Sequence, residues 1–248
     1  MRILVIGQGG REHAIVWKLA QSPRVSKLYC APGNPGIAEL ATVVNIAELD
    51  FAALAQFVKE EEIDLTFVGP EVPLFGGIVD YFTTRGLRIF GPTSQAAKIE
   101  GSKSFAKQLM YKYNIPTAAY ASFTDYDEAV KYVETQGTPI VIKADGLTAG
   151  KGVIVAKTFE EATDALNQLL KVGTFGDAGA EVVIEEFLEG EELTLLSFVD
   201  GVTVRPMVPA QDHKAAFDGD LAPNTGGMGT YSPLPHISQE QLDEIVDS

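Results

Sequence analysis

Cysteine is almost absent from this chain, because Cys30 is the only one among 248 residues. One thiol cannot form an internal disulfide, and it cannot supply the paired cysteines of a zinc or iron–sulfur site. Long apolar runs are also missing, and no stretch approaches the length that spans a bilayer. These absences exclude a disulfide-rich scaffold and predict a soluble, cytoplasmic protein without a membrane partner.

Basic residues are scarce as well. The chain has 19 lysines and arginines against 34 acidic residues, which gives a formal charge of −15. Binding to a nucleic-acid backbone needs a basic face, so a nucleic-acid partner is not expected, whereas a single nucleotide needs only a few local cations. Apolar residues make up 46% of the chain and charged residues 21%, which is enough to bury a core and predicts a folded protein.

The first hundred residues alternate between short apolar strands and amphipathic helices. Strands that end in glycine or proline turns are predicted at residues 2–7, 27–31, 43–46, 65–68 and 87–90. Helices are predicted between them, at residues 11–21, 51–61 and 75–85. This alternation predicts an α/β fold with a doubly wound parallel sheet.

The turn after the first strand resembles the dinucleotide-binding fingerprint but does not match it. The third glycine of G-x-G-x-x-G is replaced by Glu12, and the second strand ends in Ala31 and Pro32, without a carboxylate for a ribose. Turns at residues 33–34, 69–71 and 91–92 are expected at the same sheet edge, where open α/β sheets bind ligands. We predict a small phosphorylated ligand there; the alternative is that these are only tight turns.

A glycine-rich stretch at residues 139–155 is the strongest local signal. Two apolar β-branched segments enclose Gly146, Gly150 and Gly152, and Lys143 and Lys151 flank or interrupt the loop. A flexible hairpin between two ammonium groups suits a polyphosphate, and it is not a P-loop because neither Ser/Thr nor a helix follows the lysine. The alternative is a glycine-rich hairpin with two solvated lysines.

The remaining pattern is mixed. Helices are predicted at residues 103–113, 126–135 and 159–170, and strands at 119–123, 181–188, 193–199 and 202–208. A long loop is predicted at 210–233, and loops of this length are usually either functional or disordered. Glu185 and Glu192 flank an apolar segment at a spacing suited to a base amino group and a ribose, although a solvated acidic edge would look the same. The lone His213 has no partner spacing for a metal site.

Taken in order, these motifs resemble the glycinamide ribonucleotide synthetase (phosphoribosylamine–glycine ligase) family of ATP-grasp enzymes in purine biosynthesis. The resemblance runs along the whole chain. It is carried by GQGGREHA (7–14), PGN (32–34), GPE-PL (69–74), FGP with IEGSKSFAK (90–107), IKADGLTAGKGV (142–153), EEFLEGEE (185–192) and AQDHK…DGD…PNTGGMGTYSP (210–233).

The resemblance implies a fold and a reaction. The fold would be a doubly wound (pre-ATP-grasp) domain at 1–101, a linker helix at 102–115, and a partial ATP-grasp α+β domain whose small subdomain covers 116–188 and whose incomplete large subdomain covers 189–248. The reaction would join glycine to 5-phosphoribosylamine with ATP, through a glycyl phosphate, to give glycinamide ribonucleotide, ADP and phosphate.

The resemblance also implies three sets of site residues. Those expected around ATP are Lys103, Lys143, Gly146, Gly150, Lys151, Gly152, Glu185, Glu186, Phe187, Leu188 and Glu192, with Glu185 and the 186–188 backbone at adenine and Glu192 at the ribose. Those expected around phosphoribosylamine are Gly9, Gly10, Asn34 and Glu71. Those expected around glycine and the acyl phosphate are Asp212, His213, Lys214, Asn224, Thr225 and Gly227.

The chain departs from the family pattern in two places and at its end. Ala215 stands where the family usually has Arg, and Ala222 stands where it usually has Gly. The family's Mg²⁺ ligands would lie beyond Ser248, so no metal ligand is assigned here and the chain alone is expected to be a weak or inactive catalyst. Two other classes stay open: an NAD-dependent oxidoreductase, which Glu12 disfavours, and a non-catalytic nucleotide- or phosphoribosyl-binding module.

Overall fold

The computed structural model describes residues 1–148, 152–219 and 221–247, with the side chains of residues 221–224, 226 and 247 outside the described part. The chain divides into two compact units, Met1–Gly101 and Ser102–Ser248. Among the described residues, no helix combines the length and apolarity needed to cross a membrane.

The first unit is built on a five-stranded parallel sheet of order β3-β2-β1-β4-β5. Its strands are β1 (Arg2–Gly7), β2 (Lys27–Pro32), β3 (Thr42–Val43), β4 (Leu65–Val68) and β5 (Ile89–Phe90). Its helices are α1 (Gly10–Ala20), α2 (Phe51–Glu60), α3 (Glu71–Phe75), α4 (Ile78–Thr83) and α5 (Ser94–Gly101), with a 3₁₀ turn at Ile37–Glu39.

Both faces of this sheet are buried. In β1, Leu4 and Ile6 face one core, which also contains Leu54 and Phe82 from α2 and α4. Ile3 and Val5 face a second core on the side of α1. Because side chains alternate across a strand, a strand that is apolar throughout must be covered on both sides. The predicted doubly wound parallel sheet is therefore confirmed.

The helix predicted at residues 75–85 is wrong in its extent. The structure forms two shorter helices, α3 and α4, separated at Gly76 and Gly77. Gly77 has a φ of +87°, a left-handed conformation that glycine adopts without a steric cost. The break lets α3 begin directly at Glu71, so this predicted site residue lies at a helix start rather than in a loop.

The second unit contains a four-stranded antiparallel sheet of order β6-β9-β7-β8. Its strands are β6 (Tyr120–Phe123), β7 (Ile140–Ala144), β8 (Val153–Ala156) and β9 (Val182–Glu186). The helices of this unit are α6 (Lys103–Tyr113), α7 (Tyr126–Gln136), α8 (Phe159–Leu166) and α9 (Gln239–Asp247); α8 continues into a π turn at Asn167–Lys171, and a 3₁₀ turn covers Gly176–Gly179. One face of the sheet packs on α7 and α8.

Two further antiparallel pairs complete this unit: β10 (Ser197–Val199) with β11 (Val204–Pro206), and β12 (Gln211–Phe217) with β13 (Leu221–Tyr231). The predicted strand at 193–199 is shorter than expected, since only its last three residues pair with β11 and Thr194 bridges to Ala210. Helix α6, predicted as a linker, lies within the second compact unit. The finer division of that unit stays a prediction.

The long loop predicted at 210–233 is wrong, because β12 and β13 form a hairpin there. Its pairing register shifts on either side of Ala215. Such irregularities break the alternation of period two by which a strand is recognised. The glycine and polar content of the segment, which suggested a loop, belongs to an irregular ribbon.

We predict that Leu54→Ala destabilises the protein by about 2–5 kcal/mol, because Leu54 is fully buried in the first unit's core. Leu49→Ala is the matched control in the same unit. Leu49 is 55% exposed, so its substitution by alanine removes little buried area. Urea unfolding of both variants checks this. Equal midpoints for the two variants would contradict the assignment of Leu54 to the core.

We predict that Cys30 is inert in the native protein. Burial raises the pKa of the Cys30 thiol to about 12, and the Glu12 carboxylate adds to the rise, so the reactive thiolate is scarce near neutral pH. A disulfide exchange reagent such as Ellman's should titrate no thiol in native protein at about pH 8, and one thiol in denaturant. Full reaction of the native protein would show that this strand is not buried.

Candidate functional site

The turns that follow β1, β2 and β4 come together at one edge of the first unit's sheet. The Asn34 side-chain amide donates to the Gln8 carbonyl at 2.8 Å. Arg11 donates to the Gly69 carbonyl at 3.3 Å and to the Glu71 carboxylate at 3.1 Å. The structure therefore brings the neighbourhoods of Gly9, Gly10, Asn34 and Glu71 to one place, as the position of strand ends in a parallel sheet predicts.

Glu12 has a role at this edge that the sequence reasoning missed. Its side chain is buried, and its carboxylate accepts a hydrogen bond from the Gly9 backbone N–H at 2.7 Å. A Cβ atom on Gly7 or Gly69 would overlap the Glu12 side chain. The glutamate thus caps its own helix and fills the space between two strand ends. A Glu at the third helical position is a capping-box signal that could have indicated this.

The pKa of the Glu71 carboxyl group is lower than usual. Burial alone raises the pKa of Glu71, but a hydrogen bond from its own backbone N–H and the Arg11 guanidinium outweigh burial, and the net pKa is lowered. A carboxylate at the edge where the predicted amine substrate would bind can accept hydrogen bonds from an amine or hydroxyl group, so its charged state suits that role.

A cavity of about 870 Å³ lies on the four-stranded sheet of the second unit. Its lining includes many residues predicted for ATP or for the acyl phosphate: Lys103, Lys143, Glu185, Glu186, Phe187, Leu188, Glu192, Lys214 and Thr225. Ala118, Val141 and Val153 add apolar surface. Residues from distant parts of the chain thus form one concave site with an apolar wall and charged groups, the usual composition of a ligand pocket.

Glu185 lies at the base of this cavity as a buried carboxylate between two ammonium groups. One carboxylate oxygen is 2.9 Å from Lys143 Nζ, and the other is 3.1 Å from Lys107 Nζ. Lys107 is as deeply buried as Glu185, with 7% exposure for each residue. The sequence reasoning missed Lys107, because a lysine on a helix is usually solvated and nothing local marks it as buried.

Asp145 positions Lys103 at the start of α6. Its carboxylate accepts hydrogen bonds from the Ser104 N–H at 2.6 Å and from the Ser102 hydroxyl at 3.2 Å. Lys103 Nζ donates to the carbonyls of Asp145 and Gly146, at 3.3 and 3.1 Å. The turn after β7 and the N-terminus of α6 therefore hold each other in place, and Lys103 extends along the cavity.

Two glycines of the predicted phosphate loop, Gly146 and Gly152, are packed closely against other parts of the protein. The Gly146 N–H donates to the Ala178 carbonyl at 3.0 Å, and the Gly152 N–H donates to the Thr148 hydroxyl at 3.1 Å. A Cβ on either glycine would lie within 3 Å of these neighbours. These two glycines are therefore required by close packing, and their amides are engaged within the protein. Gly150 and Lys151 lie outside the described residues.

Glu192, predicted at the ribose, forms an ion pair with Lys214, which also lies 3.7 Å from Asp212. Burial lowers the pKa of Lys214, but the Glu192 and Asp212 carboxylates outweigh burial and the net pKa is raised. Lys214 is therefore a charged group in the lining of the cavity.

The hairpin of β12 and β13 carries the other residues predicted near the acyl phosphate. The His213 ring stacks on Tyr231 with centroids 5.9 Å apart. The Thr225 hydroxyl donates to the Lys214 carbonyl at 2.9 Å and accepts from the Gly227 N–H at 3.0 Å. A second cavity of about 440 Å³ is lined by His213, Ala215 and their neighbours, so His213 and Lys214 face different cavities. Asn224 pairs with Ala215, and its side chain is outside the described part.

In the part of the chain that the structure describes, no group of three or more histidine, cysteine or acidic side chains is arranged to hold a metal ion. No Mg²⁺ ligand is assigned among these residues.

This chain is similar to several known proteins named phosphoribosylamine–glycine ligase. It is 63% identical over 247 residues to a phosphoribosylamine–glycine ligase of Halalkalibacterium halodurans, a match that covers all of this chain and 58% of the relative. It is 54% identical to the enzyme of that name from Vibrio cholerae, with 99% and 58% covered. A crystal structure of phosphoribosylamine–glycine ligase from Thermotoga maritima aligns with a TM-score of 0.84 at 31% identity, covering 100% of this chain and 59% of that one. The chain thus spans less than two thirds of the length of these relatives.

Family models divide the chain at nearly the same place as its two compact units. The model described as phosphoribosylglycinamide synthetase, N domain, matches residues 1–100. The model described as phosphoribosylglycinamide synthetase, ATP-grasp (A) domain, matches residues 101–248. Since the two models together account for every residue, the chain belongs to the phosphoribosylglycinamide synthetase family.

Proposed function

We propose that this chain carries the nucleotide and substrate sites of an ATP-dependent carbon–nitrogen ligase that joins glycine to 5-phosphoribosylamine in purine biosynthesis. The main support is the cavity of the second unit, whose lining combines Lys103, Lys143 and Lys214 with apolar side chains. The relatives' shared name, phosphoribosylamine–glycine ligase, supports the choice of reaction. The cytoplasmic location stays a prediction.

ATP is proposed to bind in this cavity. Val141, Val153, Phe187 and Leu188 offer an apolar surface for the adenine ring, with hydrogen bonds from the backbone of residues 186–188. Glu192 would bind the ribose hydroxyls after releasing Lys214. Glu185 is proposed to orient Lys143 rather than to contact the base, because lysines engage both of its oxygens.

The phosphate groups are assigned to the lysines. Lys103 and Lys143 line the cavity near the turn after β7, and both carry the charge that a triphosphate requires. Lys151 and Gly150, which lie outside the described residues, are also assigned to the phosphate site as part of this proposal.

Phosphoribosylamine is proposed to bind in the first unit, at the edge formed by Gly9, Gly10, Asn34 and Glu71. This edge has a helix N-terminus at α1, which favours an anionic phosphate, and the ionised Glu71, which suits an amine or hydroxyl group. Glycine and the acyl phosphate are assigned to Asp212, His213, Lys214, Asn224, Thr225 and Gly227.

The chemistry proceeds in two displacements. A glycine carboxylate oxygen attacks the γ-phosphorus of ATP, and ADP leaves. The amine of phosphoribosylamine then attacks the carbonyl carbon of glycyl phosphate, inorganic phosphate leaves with the bonding electron pair, and the proton lost by the amine passes to phosphate or water. Lysine side chains that hold the phosphate oxygens supply positioning and charge stabilisation, which account for most of the catalysis in phosphoryl transfer. Mg²⁺ is expected with ATP in this family and would supply further charge neutralisation of the phosphates when bound.

We predict that ATP, but not NAD, raises the melting temperature of the chain. A ligand at about 100 times its dissociation constant stabilises the native state by about 2.7 kcal/mol. Differential scanning fluorimetry with ATP, NAD, ribose 5-phosphate and glycine checks this. Stabilisation by NAD alone would favour an oxidoreductase and would overturn the ligase proposal.

We predict that Lys143→Met weakens ATP binding by about tenfold or more, because it removes a positive charge from a partly buried phosphate site. Lys157→Met is the matched control, since Lys157 is an exposed lysine of the same unit just after β8. Isothermal titration calorimetry measures both. Unchanged ATP affinity in Lys143→Met, or an equal loss in the control, would remove Lys143 from the phosphate site.

A further inference from the structure

We propose that Lys107 is a positioning residue that keeps the charge of Lys143 available for the nucleotide phosphates. The proposal rests on the ATP site proposed above and adds a residue to it. Lys107 does not line the cavity, and it acts through Glu185.

The contacts of Lys107 show that its ammonium group is used entirely within the protein. Its Nζ lies 3.1 Å from a Glu185 oxygen, 2.7 Å from the Thr117 hydroxyl and 3.2 Å from the Ala118 carbonyl. Two of these contacts are hydrogen bonds, to Thr117 and Ala118, and the third is the ion pair with Glu185. Lys107 is therefore held in place by three contacts within the protein.

Lys143 is in a different position. Its Nζ contacts the other oxygen of Glu185 at 2.9 Å, and its side chain is 27% exposed and lines the cavity. The cluster has two ammonium groups and one carboxylate, so its net charge is +1. Without Lys107, Glu185 and Lys143 would neutralise each other, and the cavity would lose the net positive charge at this point.

This charge matters because the cavity is otherwise acidic. Its lining contains five glutamates, Glu185, Glu186, Glu189, Glu191 and Glu192, against the three lysines Lys103, Lys143 and Lys214. An anionic triphosphate would be repelled from such a surface unless particular carboxylates are neutralised. Lys107 neutralises Glu185, the most buried of these glutamates, and it does not itself line the cavity.

The test compares ATP with adenosine, which has the same base and ribose but no charge. Calorimetry on the 248-residue chain in metal-free buffer should show about tenfold weaker ATP binding in Lys107→Met, with adenosine affinity unchanged within about twofold. Lys107→Arg should retain ATP affinity. Lys107→Met/Glu185→Gln should regain it, because removing one charge of each sign restores the net charge of +1. Melting curves confirm that each variant is folded.

Two results would overturn the proposal. Equal weakening of ATP and adenosine in Lys107→Met would mean that Lys107 only supports the shape of the cavity. Failure of the double variant to recover ATP affinity would mean that charge balance is not the reason for the loss.

A measurement that needs no bound nucleotide tests the role of Lys107 independently of the proposed ATP site. If the wild-type chain binds neither ATP nor adenosine, the proposed function fails, and the labelling rate of Lys143 by an anionic amine-acylating reagent decides the present point. That rate, followed by mass spectrometry, should fall in Lys107→Met and recover in the double variant, with Lys157 labelling unchanged as the internal control. An unchanged Lys143 rate in Lys107→Met would overturn the role of Lys107.

Discussion

The site in the second unit depends on one buried carboxylate. Glu185 is placed by β9, which pairs with both β6 and β7, so its position is fixed by main-chain hydrogen bonds on two sides. A buried carboxylate without partners would be strongly unfavourable, and lysines contact each of its oxygens. Strand pairing therefore fixes Glu185, Glu185 fixes the ammonium group of Lys143, and that group sets the local charge of the cavity.

The first unit also buries a carboxylate, and glycines leave the space for its side chain. Glu12 is buried at the strand ends, and Gly7 and Gly69 leave the space that its side chain occupies. Its carboxylate accepts a hydrogen bond from a donor at the start of α1. The residue that excludes a dinucleotide fingerprint in the sequence is thus a structural part of the edge where a phosphorylated substrate is proposed to bind. In both units, an acidic side chain is buried with a specific partner next to a proposed anion site.

Much of this could be read from the sequence, because the signals are local. The apolar strand 2–7 predicts burial on both faces, and the alternation of strands and helices predicts the parallel sheet. The glycine-rich hairpin and the EEFLEGEE segment marked residues that the structure places around one cavity. The irregular hairpin of β12 and β13 could not be recognised, since register shifts around Ala215 remove the alternation by which strands are detected.

By itself, the sequence determined the fold class and the family pattern, and it predicted residues of the candidate site, because motif spacing and hydrophobic periodicity are properties of neighbouring residues. Only the tertiary structure decided which charges meet. Lys107 and Glu185 are 78 positions apart in the chain, and Glu12 and Gly69 are 57 positions apart. No local pattern connects either pair. Burial and ion pairing depend on the packing of distant segments, and that packing converts an ordinary helical lysine into part of a charged cluster.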